Sequence, residues 1–166
     1  MNKALLVIDM QNVCVGENHA DFFKYDKELV NKVNQIIESN KECKIIYIRN
    51  IMKNNLINKF APFKAYEGTT EVELVSSLKI VNDNIFDKYA GDAFSNEHLE
   101  RFLKENNIDT IEVIGVDGGG CVALTALGAV KKGYKVIVNT SGIGTIFEKN
   151  KSKYYKKLIT YGARII

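Results

Sequence analysis

Residues 4–10 (Ala-Leu-Leu-Val-Ile-Asp-Met) form a continuous apolar run that ends in polar residues, the pattern of a strand buried on both faces. Residues 25–40 then carry Leu29, Val30, Val33, Ile36 and Ile37 at helical spacing. A second strand is predicted over 44–48 (Lys-Ile-Ile-Tyr-Ile). The stretch 49–68 is long, mixed and without a period, which reads as a loop lying over something. Residues 71–78 predict a short helix and 84–87 a short strand. Ser95 is placed to cap a helix through 107, with Glu97 and His98 early in it. A further apolar strand spans 109–116, followed by a helix over 121–132 that closes on Gly133 and a strand over 134–139. A helix over 149–161 with Gly162 as its C-cap leads to a last strand, 163–166. This alternation predicts a mainly parallel sheet with helices on both faces. In such sheets, working residues gather where the strands end. That singles out residues 9–12, 49–50, 87–88 and 117–121, each set polar or reactive.

No repeat, linker or low-complexity run divides the 166 residues, so one domain over 1–166 is expected, large enough for a full core. The composition, 46% hydrophobic and 26% charged, is that of a folded domain rather than a disordered chain. The net charge of +3 is spread over scattered lysines, which excludes an electrostatic footprint for nucleic acid. The apolar runs are too short to cross a bilayer, so no membrane partner is expected. Met1-Asn2-Lys3 runs directly into the first strand, and no cleaved leader is expected. Three cysteines, Cys14, Cys43 and Cys121, are an odd set without paired spacing, which argues for reduced thiols in a cytoplasm.

The segment Ile114-Gly115-Val116-Asp117-Gly118-Gly119-Gly120-Cys121-Val122 carries the most chemistry. A buried strand runs out, a glycine-rich turn follows, and Cys121 opens the next helix. A thiol at a helix N-terminus meets unpaired N–H groups and the positive end of the dipole, which favour thiolate. The same N–H groups suit the oxyanion of a tetrahedral intermediate. A small buried cysteine packing the helix start is an equally good account of position alone. Asp9, ending the first strand, and Lys88, following the short strand 84–87, shift that balance: a carboxylate to take the thiol proton and an ammonium to hold both charges. Taken singly, each has a plainer reading, Asp9 as a turn carboxylate and Lys88 as a surface lysine.

Three motifs together, Leu5-Leu6-Val7-Ile8-Asp9-Met10-Gln11-Asn12, Lys88-Tyr89-Ala90-Gly91-Asp92-Ala93-Phe94 and Gly115-Val116 followed four residues later by Cys121-Val122, resemble the isochorismatase-like cysteine hydrolases. That superfamily includes nicotinamidases and N-carbamoylsarcosine amidases. The resemblance spans essentially the whole chain. It implies a three-layer α/β/α sandwich around a six-stranded parallel sheet, with a triad of Asp9, Lys88 and Cys121. It implies a cis peptide at Val116–Asp117 and oxyanion donors at the Asp117 and Cys121 N–H groups. The mechanism implied is attack of the Cys121 thiolate on an amide carbonyl and hydrolysis of a thioester. Gln11, Tyr89, Phe60 and Phe63 are the expected contacts of a small planar or carboxylated substrate, although Phe60, Phe63 and Tyr66 serve equally well to pack the long loop. A homo-oligomer, dimer or tetramer, is implied by the resemblance alone.

The sequence departs from the pattern in three places. The nucleophile loop usually holds a Thr and bulkier residues, where this chain has Asp117 and three glycines, an arrangement expected to loosen the site and, by like-charge repulsion, to disfavour thiolate. Cys14 stands where an aromatic residue is common. Nicotinamidases carry a metal site with an Asp-x-His pattern after the second strand, whereas here Arg49-Asn50-Ile51-Met52 supplies no histidine. No metal and no cofactor are therefore expected. His19, in a loop, and His98, in a helix, read as surface residues. Dinucleotide and phosphate-loop readings of the glycines fail on spacing: a Gly-x-Gly-x-x-Gly frame begun at Gly115 meets Asp117, and one begun at Gly118 meets Ala123. The rival from another class is a protein of the same fold without turnover, acting as a small-molecule-binding or regulatory subunit.

Overall fold

A computed structural model describes residues 2–56 and 58–166. Six strands form one parallel sheet: β1 (Lys3–Ile8), β2 (Lys44–Asn50), β3 (Ile85–Lys88), β4 (Thr110–Val116), β5 (Lys135–Gly144) and β6 (Arg164–Ile165). Their order across the sheet is β3-β2-β1-β4-β5-β6, so the chain winds outward in both directions from β1 and β4. The helices are α1 (Asn12–Val15), α2 (Leu29–Ser39), α3 (Glu97–Glu105), α4 (Cys121–Lys131) and α5 (Glu148–Thr160).

The continuous apolar runs follow from burial on both faces. Along β1, Ala4, Leu6 and Ile8 enter one core with Leu99, Leu103, Val122 and Leu158 of α3, α4 and α5. Leu5 and Val7 enter the opposite core with Leu29, Val33 and Ile37 of α2. The period of two in the strand thus splits one apolar run between two layers. Helix α4 is apolar nearly all round because it is buried nearly all round. Arg49, on β2, forms a two-point ion pair with Asp87 of β3 at 2.7 and 3.1 Å. This fastens the short edge strand whose last residue is Lys88.

Gly115 sits at φ 109° beside Ile8 of the paired strand β1, and a Cβ there would stand 2.1 Å from the Ile8 carbonyl oxygen. Only glycine allows that approach, and it brings the end of β4 beside the end of β1.

Four predicted elements differ. Residues 71–78 hold only a short 3₁₀ turn, Thr70–Val72. Beyond it the chain is bonded to the end of β1, Asn12 N–H to the Glu73 carbonyl and Val75 N–H to that of Met10, which fixes it extended. The helix predicted over 25–40 begins at Leu29, because Asp26 turns the chain by accepting from the Glu28 N–H. Asn96, not Ser95, caps α3: its side chain accepts from His98 N–H, while the Ser95 hydroxyl bonds back to Asp92. Strand β5 runs on through Gly144 past an irregularity opposite β4, five residues beyond its predicted end.

Candidate active site

Three strand ends and one helix start converge at the carboxyl edge of the sheet. Asp9 follows β1 in the left-handed region, φ 53°, a conformation uncommon for a residue with a side chain and concentrated at functional sites. Its N–H donates to the Ile48 carbonyl, 2.9 Å. Lys88 ends β3 yet is fully buried, its stem reaching past Asn50 of β2 toward Asp9. Its Nζ stands 3.0 Å from Asp9 Oδ2, 3.1 Å from Asn50 Oδ1 and 3.2 Å from Cys121 Sγ. An ammonium has three hydrogens, and all three are engaged.

Asp9 Oδ1 is buried and has no hydrogen-bond partner among the described residues. A buried acceptor left open in this way costs stability unless something uses it. Burial is the largest influence on the Asp9 carboxyl and raises it above the ordinary 3.8, with Lys88 partly offsetting. Burial and the Asp9 charge push the Cys121 thiol up to about 12 against the opposing pull of Lys88. For Lys88, burial works against the charge, but Asp9 and Cys121 outweigh it and hold the ammonium above 10.5. The shifts thus favour an ammonium on Lys88 and a protonated sulfur on Cys121. Dehydration and the neighbouring carboxylate act against the thiolate that the helix N-terminus favours.

The nucleophile loop is tighter than its glycines suggested. A Cβ on Gly118 would lie 2.3 Å from Thr145 Oγ1, and one on Gly119 2.1 Å from the Phe147 carbonyl oxygen. Residues 145–147, running out of β5, occupy the space that side chains on the loop would need. The glycines permit contact rather than slack, which corrects the expected loosening. Asp117 carries much of this: Oδ1 accepts from Gly119 N–H at 2.6 Å, and Oδ2 accepts from Ile146 N–H at 2.5 Å and from the Tyr25 hydroxyl at 3.3 Å. The Val116–Asp117 peptide is cis. Among the described residues, neither the Asp117 N–H nor the Cys121 N–H donates to any carbonyl or side chain; both stay available to a bound oxygen.

A cavity of about 270 Å³ opens over the sulfur. Its walls include Phe22, Phe23, Tyr25, Phe63 and Phe147, with Cys14 among them. Phe63 lies 4.7 Å from Phe23 and 6.0 Å from Phe22, centroid to centroid, the latter pair stacked.

The sequence profile of the isochorismatase domain matches residues 3–166. The chain belongs to the isochorismatase family. A probable inactive nicotinamidase of Arabidopsis thaliana is 28% identical over 149 residues, 80% of this chain and 75% of that protein. The isochorismatase-like hydrolase of Alkaliphilus metalliredigens is 25% identical with a TM-score of 0.84, over 99% of this chain and 94% of that one. The pyrazinamidase of Pyrococcus horikoshii, solved in complex with zinc, is 24% identical with a TM-score of 0.85, over 100% of this chain and 99% of that one.

Within this isochorismatase-family chain the sequence-predicted residues divide. Asp9, Lys88, Cys121 and the Asp117 backbone meet at one point, and Phe63 lines the cavity. Gln11 borders it, but its amide is fully engaged: Nε2 donates to the Asn50 and Val72 carbonyls, and Oε1 accepts from Asn50 N–H. It ties β2 and the Val72 carbonyl to the end of β1 while lining the cavity. Phe60 is 88% exposed and Tyr89 54% exposed, and neither lines the cavity. Tyr89 instead stands under the Lys53 ammonium, 6.0 Å from its ring centroid. Residues overlooked in the sequence are Phe22, Phe23, Tyr25 and Phe147 as walls; Asn50, singled out at a strand end, proves to be the third partner of Lys88. The cluster Phe22-Phe23-Lys24-Tyr25 in a polar stretch was the available signal.

The zinc of the Pyrococcus relative raises the question of a metal in this chain. The end of β2 and the residues after it offer no suitable donors: Arg49 is paired with Asp87 and Glu73, Asn50 holds Lys88, and Met52 lies in a bridge with Tyr66. Among the described residues no three His, Cys, Asp or Glu side chains stand together. His19 and His98 are exposed. These residues do not fit a metal of that kind.

Proposed function

We propose that this protein is a metal-independent cysteine amidohydrolase that cleaves a C–N bond of a small planar molecule through a thioester. The observation that supports it most is the buried Lys88 ammonium touching both the Asp9 carboxylate and the Cys121 sulfur, the two of which line an aromatic cavity. In this reading Asp9 takes the Sγ proton as the sulfur attacks the carbonyl carbon, so the nucleophile is made during the reaction rather than held beforehand. The Asp117 and Cys121 N–H groups receive the developing oxyanion. As the C–N bond breaks, Asp9 returns the proton to the departing nitrogen. It then takes a proton from water, which attacks the thioester carbonyl; the acid leaves and Sγ regains its proton. Lys88 stays an ammonium throughout and offsets whichever of Asp9 or Cys121 carries the charge. Cys14, Cys43 and Cys121 are all free, which suits a reducing, cytoplasmic setting. A homo-oligomer is part of the same proposal.

Ammonia release from a panel of small carboxamides tests this. Turnover is expected for the unsubstituted protein and none above background for Cys121→Ala, with unchanged circular dichroism. Full activity in Cys121→Ala overturns the mechanism. One observation favours a second reading, a ligand-binding protein without turnover: the Arabidopsis relative carries the name of a probable inactive nicotinamidase. Saturable binding of amides with no ammonia released from any of them would select it.

A further inference from the structure

The charges around the cavity restrict what can enter it. Among the described residues no lysine or arginine lines the cavity; Lys88, buried beneath Asp9 and Cys121, already gives its three hydrogens to Asp9, Asn50 and Cys121. No N–H remains on it for a second anion. Asp117 is the opposite case. Its carboxylate is buried, borders the cavity, and is held only by neutral donors: two backbone N–H groups and the Tyr25 hydroxyl. It forms no ion pair among the described residues. Accepting hydrogen bonds on both oxygens is the behaviour of an ionised carboxylate, which offers about four acceptor positions; three are filled. Asp9 is paired with Lys88, so Asp117 is the carboxylate lining the cavity that faces no cation among the described residues. The lysines next in sequence to the wall residues, Lys24 and Lys64, are exposed, where water and salt screen them. Phe22, Phe63 and Phe147 line the cavity beside this charge, and the face of a phenyl ring attracts a cation.

We infer that the cavity selects a planar amide carrying positive charge away from its scissile bond, with Asp117 as counter-charge and Phe22, Phe63 and Phe147 as walls, and excludes carboxylated molecules. This revises the sequence-based expectation of a planar or carboxylated substrate. It rests on the amidohydrolase reading for the bond that is cleaved, and independently on geometry for the charge of what binds.

Calorimetric titration of the Cys121→Ala protein with three matched ring carboxamides tests it without turnover. The probes are the 3-carbamoyl-1-methylpyridinium cation, neutral pyridine-3-carboxamide, and the anion of 5-carbamoylpyridine-3-carboxylic acid. The cation is expected to bind about tenfold or more tighter than the neutral amide, with the anion weakest. In Asp117→Asn the advantage of the cation shrinks toward parity. Should that variant fail to fold, the order in which the three probes protect Cys121 of the unsubstituted protein from iodoacetamide gives the same ranking. An anion that binds as well as the neutral amide, or a cation with no advantage, overturns the inference. Hydrolysis of the anion fastest of the three would sink it while leaving the amidohydrolase reading intact. Cation-selective binding with no amide hydrolysed would do the reverse.

Discussion

Replacing Lys88 by methionine keeps much of the stem's volume and removes the charge that joins Asp9, Asn50 and Cys121. Both Lys88 and Asp9 are buried, at 0% and 4% exposure, so solvent cannot compensate. Asp9 would lose its only cation, having already one oxygen without a partner, and Asn50 Oδ1 would lose its donor. Breaking a buried ion pair by deleting one partner costs about 3–5 kcal/mol. A domain of this size has roughly 5–15 kcal/mol in total, so Lys88→Met should fold but unfold at much lower urea. The sign of the pH dependence follows from Asp9. Its folded carboxyl already lies above the ordinary 3.8, and without Lys88 it rises further. The folded state then binds more protons than the unfolded state above that value, so stability falls as pH rises through the window between the two. Urea unfolding at pH 5 and pH 7.5 should show the deficit of Lys88→Met growing with pH. The double variant Asp9→Asn/Lys88→Met should be at least about 1 kcal/mol more stable than the sum of the single losses. Equal stability of Lys88→Met and the unsubstituted protein, or strictly additive losses, would refute the coupling of these two groups.

Three further outcomes follow from the same geometry. Asp9→Asn should abolish amide turnover yet speed alkylation of Cys121 near neutral pH, because the charge that raises the thiol is gone while Lys88 remains to stabilise a thiolate; slower alkylation would contradict the assignment of the proton. Gly119→Ala places a Cβ against the Phe147 carbonyl, with an expected loss of about 1–3 kcal/mol in urea unfolding and of turnover, since residues 145–147 and the nucleophile loop must separate. Gln11→Leu leaves two carbonyls and one N–H buried without partners; it should lower stability by about 1–3 kcal/mol and shift Asn50, measured as a fall in kcat.

What could be read from the sequence depended on how local the cause was. Strands β1 and β4 announce themselves because burial on both faces forces an unbroken apolar run. The glycine-rich turn into α4 shows that a tight helix start lies there. Asp9 and Lys88 were recognisable only in company, since a carboxylate or a lysine ending a strand is ordinary by itself. The roles of Gly118 and Gly119 were hidden because what fills their space, Thr145 and the Phe147 backbone, arrives from the far end of β5. The bonds Gln11 makes across the sheet were hidden for the same reason: its partners lie 39 and 61 residues away. The thiol's raised pKa was equally illegible, for burial in a finished cavity leaves no mark in the local sequence. Residues 71–78 look helical but are held extended by bonds to the end of β1, a tertiary override of a weak local preference.

Intact-mass analysis of a rapidly quenched reaction, with any amide found to release ammonia, examines the nucleophile itself. An adduct equal in mass to the acyl part of that amide should form on the peptide containing Cys121 and decay at the rate of turnover. Sustained turnover with Cys121 unmodified at every quench time and no hydroxamate of the acyl group formed when hydroxylamine is added, or an adduct on Cys14 or Cys43 instead, would contradict the account.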